Sequence, residues 1–263
     1  MCGIAGLVNI GGESISPPVL QRMTDSISHR GPDGEGHWIE GNVGIGHRRL
    51  SIIDVTPAGH QPMMTPDDRY VLSYNGEIYN FRELRIELEA LGHVFNSNSD
   101  TEVVLHSFAQ WGTVALSRFN GMFAVALWDR KQRKLLLARD RYGIKPLYYC
   151  LQGNRLAFAS EQKAILASDL FKRDLDKEAL LEYFTFQNIF TNRTLLKDVR
   201  ILKAGHYCTF SLNQEPPRLE EVQYWDYRFR EPEYPASKEE YIEELDRLFS
   251  QAVNRQLVSD VEL

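Results

Sequence analysis

Strand-length apolar runs crowd the first two thirds of this chain and do not alternate with helices. They are Ile4–Val8, Val43–Ile45, Tyr70–Tyr74, Met122–Trp128, Lys134–Ala138, Leu147–Cys150 and Arg155–Ala159, separated by polar, glycine-rich turns. Helical spacing shows between them in Phe81–Leu91, where Leu84, Leu88 and Leu91 share a face, and in Thr101–Gln110, with Val104, Leu105 and Phe108. A doubly wound parallel sheet needs strand and helix in strict turn. This order instead predicts an α+β layered fold with mainly antiparallel sheets.

At 263 residues the chain can hold one sizeable core or two small domains, and 43% hydrophobic with 25% charged residues is ordinary for a protein that folds in water. A composition shift after His206–Leu212 marks a boundary. Glu215-Pro216-Pro217 and Glu231-Pro232-Glu233-Tyr234-Pro235 bracket a polar, linker-like stretch, so residues 1–212 are expected as one domain and 213–263 as a linker plus a helix. Ser237 with Glu240 reads as the capping box of that helix, and Tyr241, Leu245, Leu248 and Ala252 form its apolar stripe. The helix is either the first element of a second domain or a terminal helix docked on the preceding core.

Lys and Arg number 30 against 36 Asp and Glu, a formal net charge of −6 without a dense basic run, which argues against a nucleic-acid partner. No apolar run approaches the roughly twenty residues that cross a bilayer, and Met1–Ile10 lacks the pattern of a secretory signal. No membrane partner is expected, and a cytoplasmic location follows by default. The cysteines Cys2, Cys150 and Cys208 are widely spaced with no Cys-x-x-Cys pair, so three reduced thiols and no metal site are expected.

One of those thiols stands directly after the initiator. Removing Met1 would give Cys2 a free α-amine beside its sulfur, so one residue would carry nucleophile and proton acceptor. An α-amine titrates near about 8, close to working pH, whereas a lysine ammonium titrates at about 10.4.

Four other stretches hold more polar residues and glycine than strands and helices need: His29–Gly34, Gly46–Asp54, Tyr74–Asn80 and Ser97–Glu102. Each residue has an ordinary alternative. Asn75-Gly76 is a hairpin-turn signal, Asp100 a helix N-cap, Arg49 a snorkelling surface side chain, and His29 and His47 hydrogen-bonded structural groups. Together they suit one ligand, a zwitterionic amino acid with a carbonyl in its side chain. Arg49 can clamp an α-carboxylate through paired hydrogen bonds, and Asp100 with Glu77 can hold an α-ammonium. Thiolate attack on a carboxamide creates an oxyanion, for which the Asn75 amide and the Gly76 N–H are adjacent donors.

The ordered set resembles the glutaminase domain of class II glutamine amidotransferases, in particular the branch of glutamine-dependent asparagine synthetases. The matching residues run from Met1-Cys2-Gly3-Ile4 through His29–Asp33, Arg49–Asp54, Tyr74–Asn80, Asp100, Phe119–Ala124 and Asp140–Tyr149 to Ser160-Glu161, then Ala204–His206 and Tyr224–Asp226. The resemblance implies the four-layer αββα sandwich of N-terminal nucleophile hydrolases. It implies Cys2 as nucleophile, Asn75 and Gly76 as the oxyanion hole, and Arg49 on the glutamine carboxylate. Glu77 and Asp100 would contact the substrate amine, with the backbone of Leu50, Ser51, Ile52 and Ile53 lining the same pocket. L-Glutamine is the implied substrate, and a C-terminal synthetase domain the implied partner.

That family continues into an ATP-pyrophosphatase domain with a Ser-Gly-Gly-x-Asp-Ser loop, and this sequence holds no such loop. Glutamine hydrolysis is therefore expected with no cofactor, ATP and Mg belonging only to the synthetase domain, and the chain is expected as a fragment or a stand-alone domain. Its oligomeric state stays open, a homodimer among the states. Rival readings are a catalytically silent assembly or binding module, an amidotransferase domain serving another acceptor, and a Cys-His hydrolase using His29 or His47.

Overall fold

The computed structural model describes residues 1–214, 218–231 and 236–261. In chain order its strands are β1 (Gly3–Asn9), β2 (Gly34–Glu40), β3 (Val43–Arg49), β4 (Met63–Met64), β5 (Tyr70–Ile78), β6 (Gly121–Asp129), β7 (Lys134–Arg139), β8 (Tyr148–Gln152), β9 (Arg155–Ala159), β10 (Val199–Ile201), β11 (His206–Ser211) and β12 (Leu219–Gln223). The helices are α1 (Pro17–Asp25), α2 (Phe81–Ala90), α3 (Asp100–Trp111), α4 (Ala115–Arg118), α5 (Gln162–Ala167), α6 (Lys177–Phe186) and α7 (Lys238–Gln256). Two six-stranded sheets result, ordered β10-β8-β9-β1-β3-β2 and β12-β11-β7-β6-β5-β4, with antiparallel neighbours throughout.

Side-chain alternation sorts each strand's residues between two layers. From β1, Ile4 and Val8 join Ile45 and Phe158 against Ala124, Ala126 and Leu137 of the other sheet, while Ala5 and Leu7 face Leu20, Met23 and Ile165 on the first sheet's outer side. From β6, Phe123 and Val125 turn the opposite way, onto Leu84 and Leu88 of α2 and Val104 and Phe108 of α3. The architecture is therefore the expected αββα sandwich. Burial on both faces explains why β1 reads as a continuous apolar run. Gly6 leaves room for the ring of Phe158, its partner on the neighbouring strand β9, since a Cβ there would sit 2.1 Å from that ring. Each fully buried Leu or Phe contributes roughly 1.5–3 kcal/mol.

All seven expected strands form, and α2 and α3 fall within a residue or two of their expected bounds. The short or edge strands β2, β10 and β12 lack the signal, because only one flank is paired and much of their surface is exposed or half-buried. Asn75-Gly76 is not a turn; both residues lie inside β5, opposite Ala124 and Phe123. The second sheet also runs past the boundary expected at residue 212, since β12 pairs with β11. The prolines that suggested that boundary, Pro216, Pro217, Pro232 and Pro235, lie outside the described residues.

The capping box of α7 forms as expected: the Ser237 N–H donates to Glu240 Oε2 at 2.7 Å and the Glu240 N–H to Ser237 Oγ at 3.2 Å. Its apolar stripe does not dock on the core. Tyr241, Leu245 and Phe249 are exposed, whereas Glu243, Arg247 and Gln251 border a cleft with Tyr79 and Arg82.

Candidate active site

Cys2 sits where β1 begins, and the pairing of Gly3 with Arg48 sets it beside the end of β3. The Leu50 N–H points at its Sγ at 3.4 Å, and Leu50 O lies 3.5 Å from the same sulfur. Its carbonyl is held by Arg30 Nε at 2.9 Å, and Arg30 in turn pairs with Glu161 at 3.0 Å. Burial pushes the thiol above its ordinary value, opposed by the Leu50 N–H and by the terminal ammonium. The amine of Met1 is lowered, chiefly by burial.

Cys2 opens onto a cleft of about 500 Å3, part of it open to solvent, lined also by Arg49, Leu50, Ile52, Ile53, Asn75, Gly76, Glu77 and Asp100. These are the residues singled out in the sequence, with one exception. Ser51 is absent from the lining; its N–H is turned to Asp33 Oδ2 at 2.8 Å.

Strand β5 builds the wall opposite the nucleophile. Its partner β4 is only two residues long, so beyond Leu72 that edge of β5 has no strand partner among the described residues. On that edge the Tyr74 N–H goes to Gln61 Oε1 at 2.6 Å and the Ile78 N–H to Asp100 Oδ2 at 3.0 Å. The Gly76 N–H lies between them on the same edge, because strand N–H groups alternate in direction, and it faces the cleft. A Cβ on Gly76 would meet Met122 O at 2.3 Å, so only glycine fits. Asn75 also lines the cleft; it is 1% exposed, and its Nδ2 has no hydrogen-bond partner among the described residues. An unpaired buried donor is costly unless a ligand completes it.

Asp100 is not the N-cap of α3. Ser99 caps that helix, its side chain accepting from the Thr101 N–H, which leaves the Asp100 carboxylate free to turn inward. There Oδ2 accepts from the Tyr74 hydroxyl at 2.9 Å as well as from Ile78. Burial raises its pKa to about 6, with Glu77 adding to the rise.

Arg49 is not a snorkelling surface side chain either. Its guanidinium donates to Asp54 O and, at 2.8 Å, to Thr56 O, so a short loop fixes it at the cleft. Asp54 Oδ2 accepts from the Asn98 N–H at 2.8 Å, which ties that loop to the one carrying Asp100.

Neither candidate histidine lines the cleft. His29 is bound to Glu161 at 2.9 Å on the surface. His47 is fully buried with Nδ1 on Ser73 Oγ at 3.1 Å, and burial, then Arg49 and His60, push its pKa down to about 3. The structure thus removes the support for a Cys-His pair.

Several lining residues had no role assigned from sequence: Gln61, Tyr74, Ser99, Thr101 and Lys145. Tyr74, Ser99, Thr101 and Lys145 lie within the motif stretches, so inspecting every polar neighbour would have found them. Gln61 carries no local signal; only the fold brings it to β5. Lys145 is 5% exposed, and burial lowers its pKa.

The glutamine amidotransferase domain family matches residues 1–225. The chain is 40% identical over 265 residues to asparagine synthetase [glutamine-hydrolyzing] 3 of Bacillus subtilis, covering 99% of this chain and 42% of that protein. It is 34% identical over 281 residues to putative asparagine synthetase [glutamine-hydrolyzing] 2 of Methanocaldococcus jannaschii, covering 99% and 53%. The chain therefore spans about half or less of the length of these relatives. Among solved structures, the glutamine phosphoribosylpyrophosphate amidotransferase of B. subtilis superposes with a TM-score of 0.63 at 19% identity over 85% of this chain and 49% of that one, which shows the shared fold. The chain belongs to the glutamine amidotransferase domain family.

Proposed function

We propose that, once Met1 is removed, Cys2 hydrolyses the side-chain amide of L-glutamine to glutamate and ammonia. The observation that carries this is the convergence on one cleft of a thiol, two oxyanion donors without strand partners, a fixed guanidinium and a buried carboxylate. The freed α-amine accepts the thiol proton, and sulfur bonds to the amide carbon. The oxyanion rests on Asn75 Nδ2 and the Gly76 N–H. The carbon–nitrogen bond breaks, with ammonia leaving on the proton from the amine. Water, deprotonated by the same amine, then opens the thioester, returning the thiol and releasing glutamate. Arg49 holds the α-carboxylate, and Asp100 with Glu77 the α-ammonium, against a wall formed by Leu50, Ile52 and Ile53. Each group in this cycle comes from the chain or from water, so no metal or cofactor enters it.

The names of the relatives support a further step, in which a C-terminal synthetase domain uses the ammonia to amidate aspartate with ATP. The stretch after β12, through residue 263, would then lead into that domain. No helix among the described residues is long and apolar enough to cross a membrane, and a cytoplasmic location suits the proposed substrate.

The test is equimolar release of glutamate and ammonia from glutamine, followed against pH. Asp100 with a pKa near 6 binds an ammonium only when charged, so KM for glutamine rises as pH falls through about 6 while kcat is unaffected by this group. The stability effect has the opposite sign. A carboxyl whose folded pKa lies above its ordinary 3.8 contributes stability at low pH that is lost as pH rises toward about 6. Asp100→Asn keeps an acceptor for Tyr74 and Ile78 without the charge. It is expected to raise KM at pH 7.5 by about 30–100-fold, and to raise Tm there by a few degrees, about 2 kcal/mol. A variant with lower Tm and unchanged KM would contradict both assignments.

A further inference from the structure

The segment after α7 returns to the cleft loop. The Asp260 N–H donates to Ile52 O at 2.9 Å, and Asp260 Oδ2 accepts from the Asp54 N–H at 2.7 Å. Two residues earlier, Val258 packs on the same cluster of α2, α3 and β5 side chains that receives Ile53. One side chain and one backbone group therefore clip residues 52–54 from outside the sandwich.

What the clip holds matters more than its own strength. Asp54 has a left-handed backbone, φ 53°, a conformation uncommon outside glycine though better tolerated by aspartate than by most side chains. Its carbonyl is one of the two that anchor the Arg49 guanidinium, and its carboxylate bonds the Thr56 and Asn98 N–H groups. The donor that Asp260 takes is thus the N–H of the residue joining the Arg49 side of the cleft to the Asp100 side.

We propose that Asp260 is a positioning residue for glutamine binding: by holding Asp54 it sets the Arg49 guanidinium at the carboxylate end of the cleft. The inference rests on the glutamine reading above. Asp260 touches neither Cys2 nor the oxyanion donors, so its influence runs through Arg49, which grips ground state and transition state alike. Loss of such uniform binding raises KM and leaves kcat intact. The carboxylate is exposed to solvent, which keeps the effect moderate.

The experiment measures glutamine kinetics on chains beginning at Cys2: unaltered, Asp260→Ala, Asp260→Asn and Ser259→Ala. Asp260→Ala is expected to raise KM about 3–10-fold with kcat within about twofold. Asp260→Asn keeps a side-chain oxygen for the Asp54 N–H and should restore KM to near the unaltered value, and Ser259→Ala, whose hydroxyl among the described residues bonds within its own turn, should not change it. A merely structural role would instead lower Tm and kcat together, without rescue by asparagine. Unchanged KM in Asp260→Ala, with the unaltered chain active, overturns this inference alone; an unaltered chain inactive on glutamine overturns the functional reading and this inference with it.

Discussion

Cys2→Ala protein releases no ammonia from glutamine above background, a loss of at least about 10⁴-fold. The other thiols cannot substitute. Cys150 and Cys208 are buried in the sheets, and burial raises Cys150 to about 11 and Cys208 further, so neither supplies thiolate at neutral pH. Neither lies along the cleft. The substitution removes one half-buried sulfur at the start of β1, whose neighbouring pairs from Gly3 onward remain, so the fold and Tm should be nearly unchanged. Ammonia release from the alanine variant within tenfold of the unaltered rate would remove Cys2 from the mechanism.

Asn75→Ala is expected to lower kcat about 10²–10³-fold while KM for glutamine moves little, because the donor it deletes is used fully only when the carbonyl oxygen becomes an oxyanion. The structure separates this from a folding defect. Asn75 Nδ2 has no protein partner among the described residues, so its loss strands no acceptor, and the β5–β6 backbone pairing with Ala124 persists. A thermal melt within a few degrees of the unaltered protein should accompany the kinetic loss. If KM rose at constant kcat, Asn75 would belong with the groups that grip the amino-acid end instead.

Strand periodicity revealed the central strands because their residues are buried on one or both sides, and burial is what writes a pattern into sequence. Edge strands such as β2 and β12 are partly solvated and carry little of it. The cleft residues were legible as types but not as contacts. Asn75-Gly76 reads locally as a turn, and only the nine-residue pairing of β5 with β6 overrides that propensity. Asp100 reads locally as a cap, and Ser99 takes that role. Gln61 and Asp260 could not have been found, since each reaches the site across a long sequence separation through a hydrogen bond that only the folded chain creates.

The most direct test compares ammonia release by two samples of this chain whose amino termini are fixed by mass spectrometry, one beginning at Cys2 and one retaining Met1. With Met1 in place the nitrogen of Cys2 is an amide and has no basic lone pair. The sample beginning at Cys2 should hydrolyse glutamine and take up an electrophilic glutamine analogue on its sulfur, while the Met1 sample should be slower by about 10²–10⁴-fold. Equal rates from the two samples would contradict the assignment of the α-amine as the base.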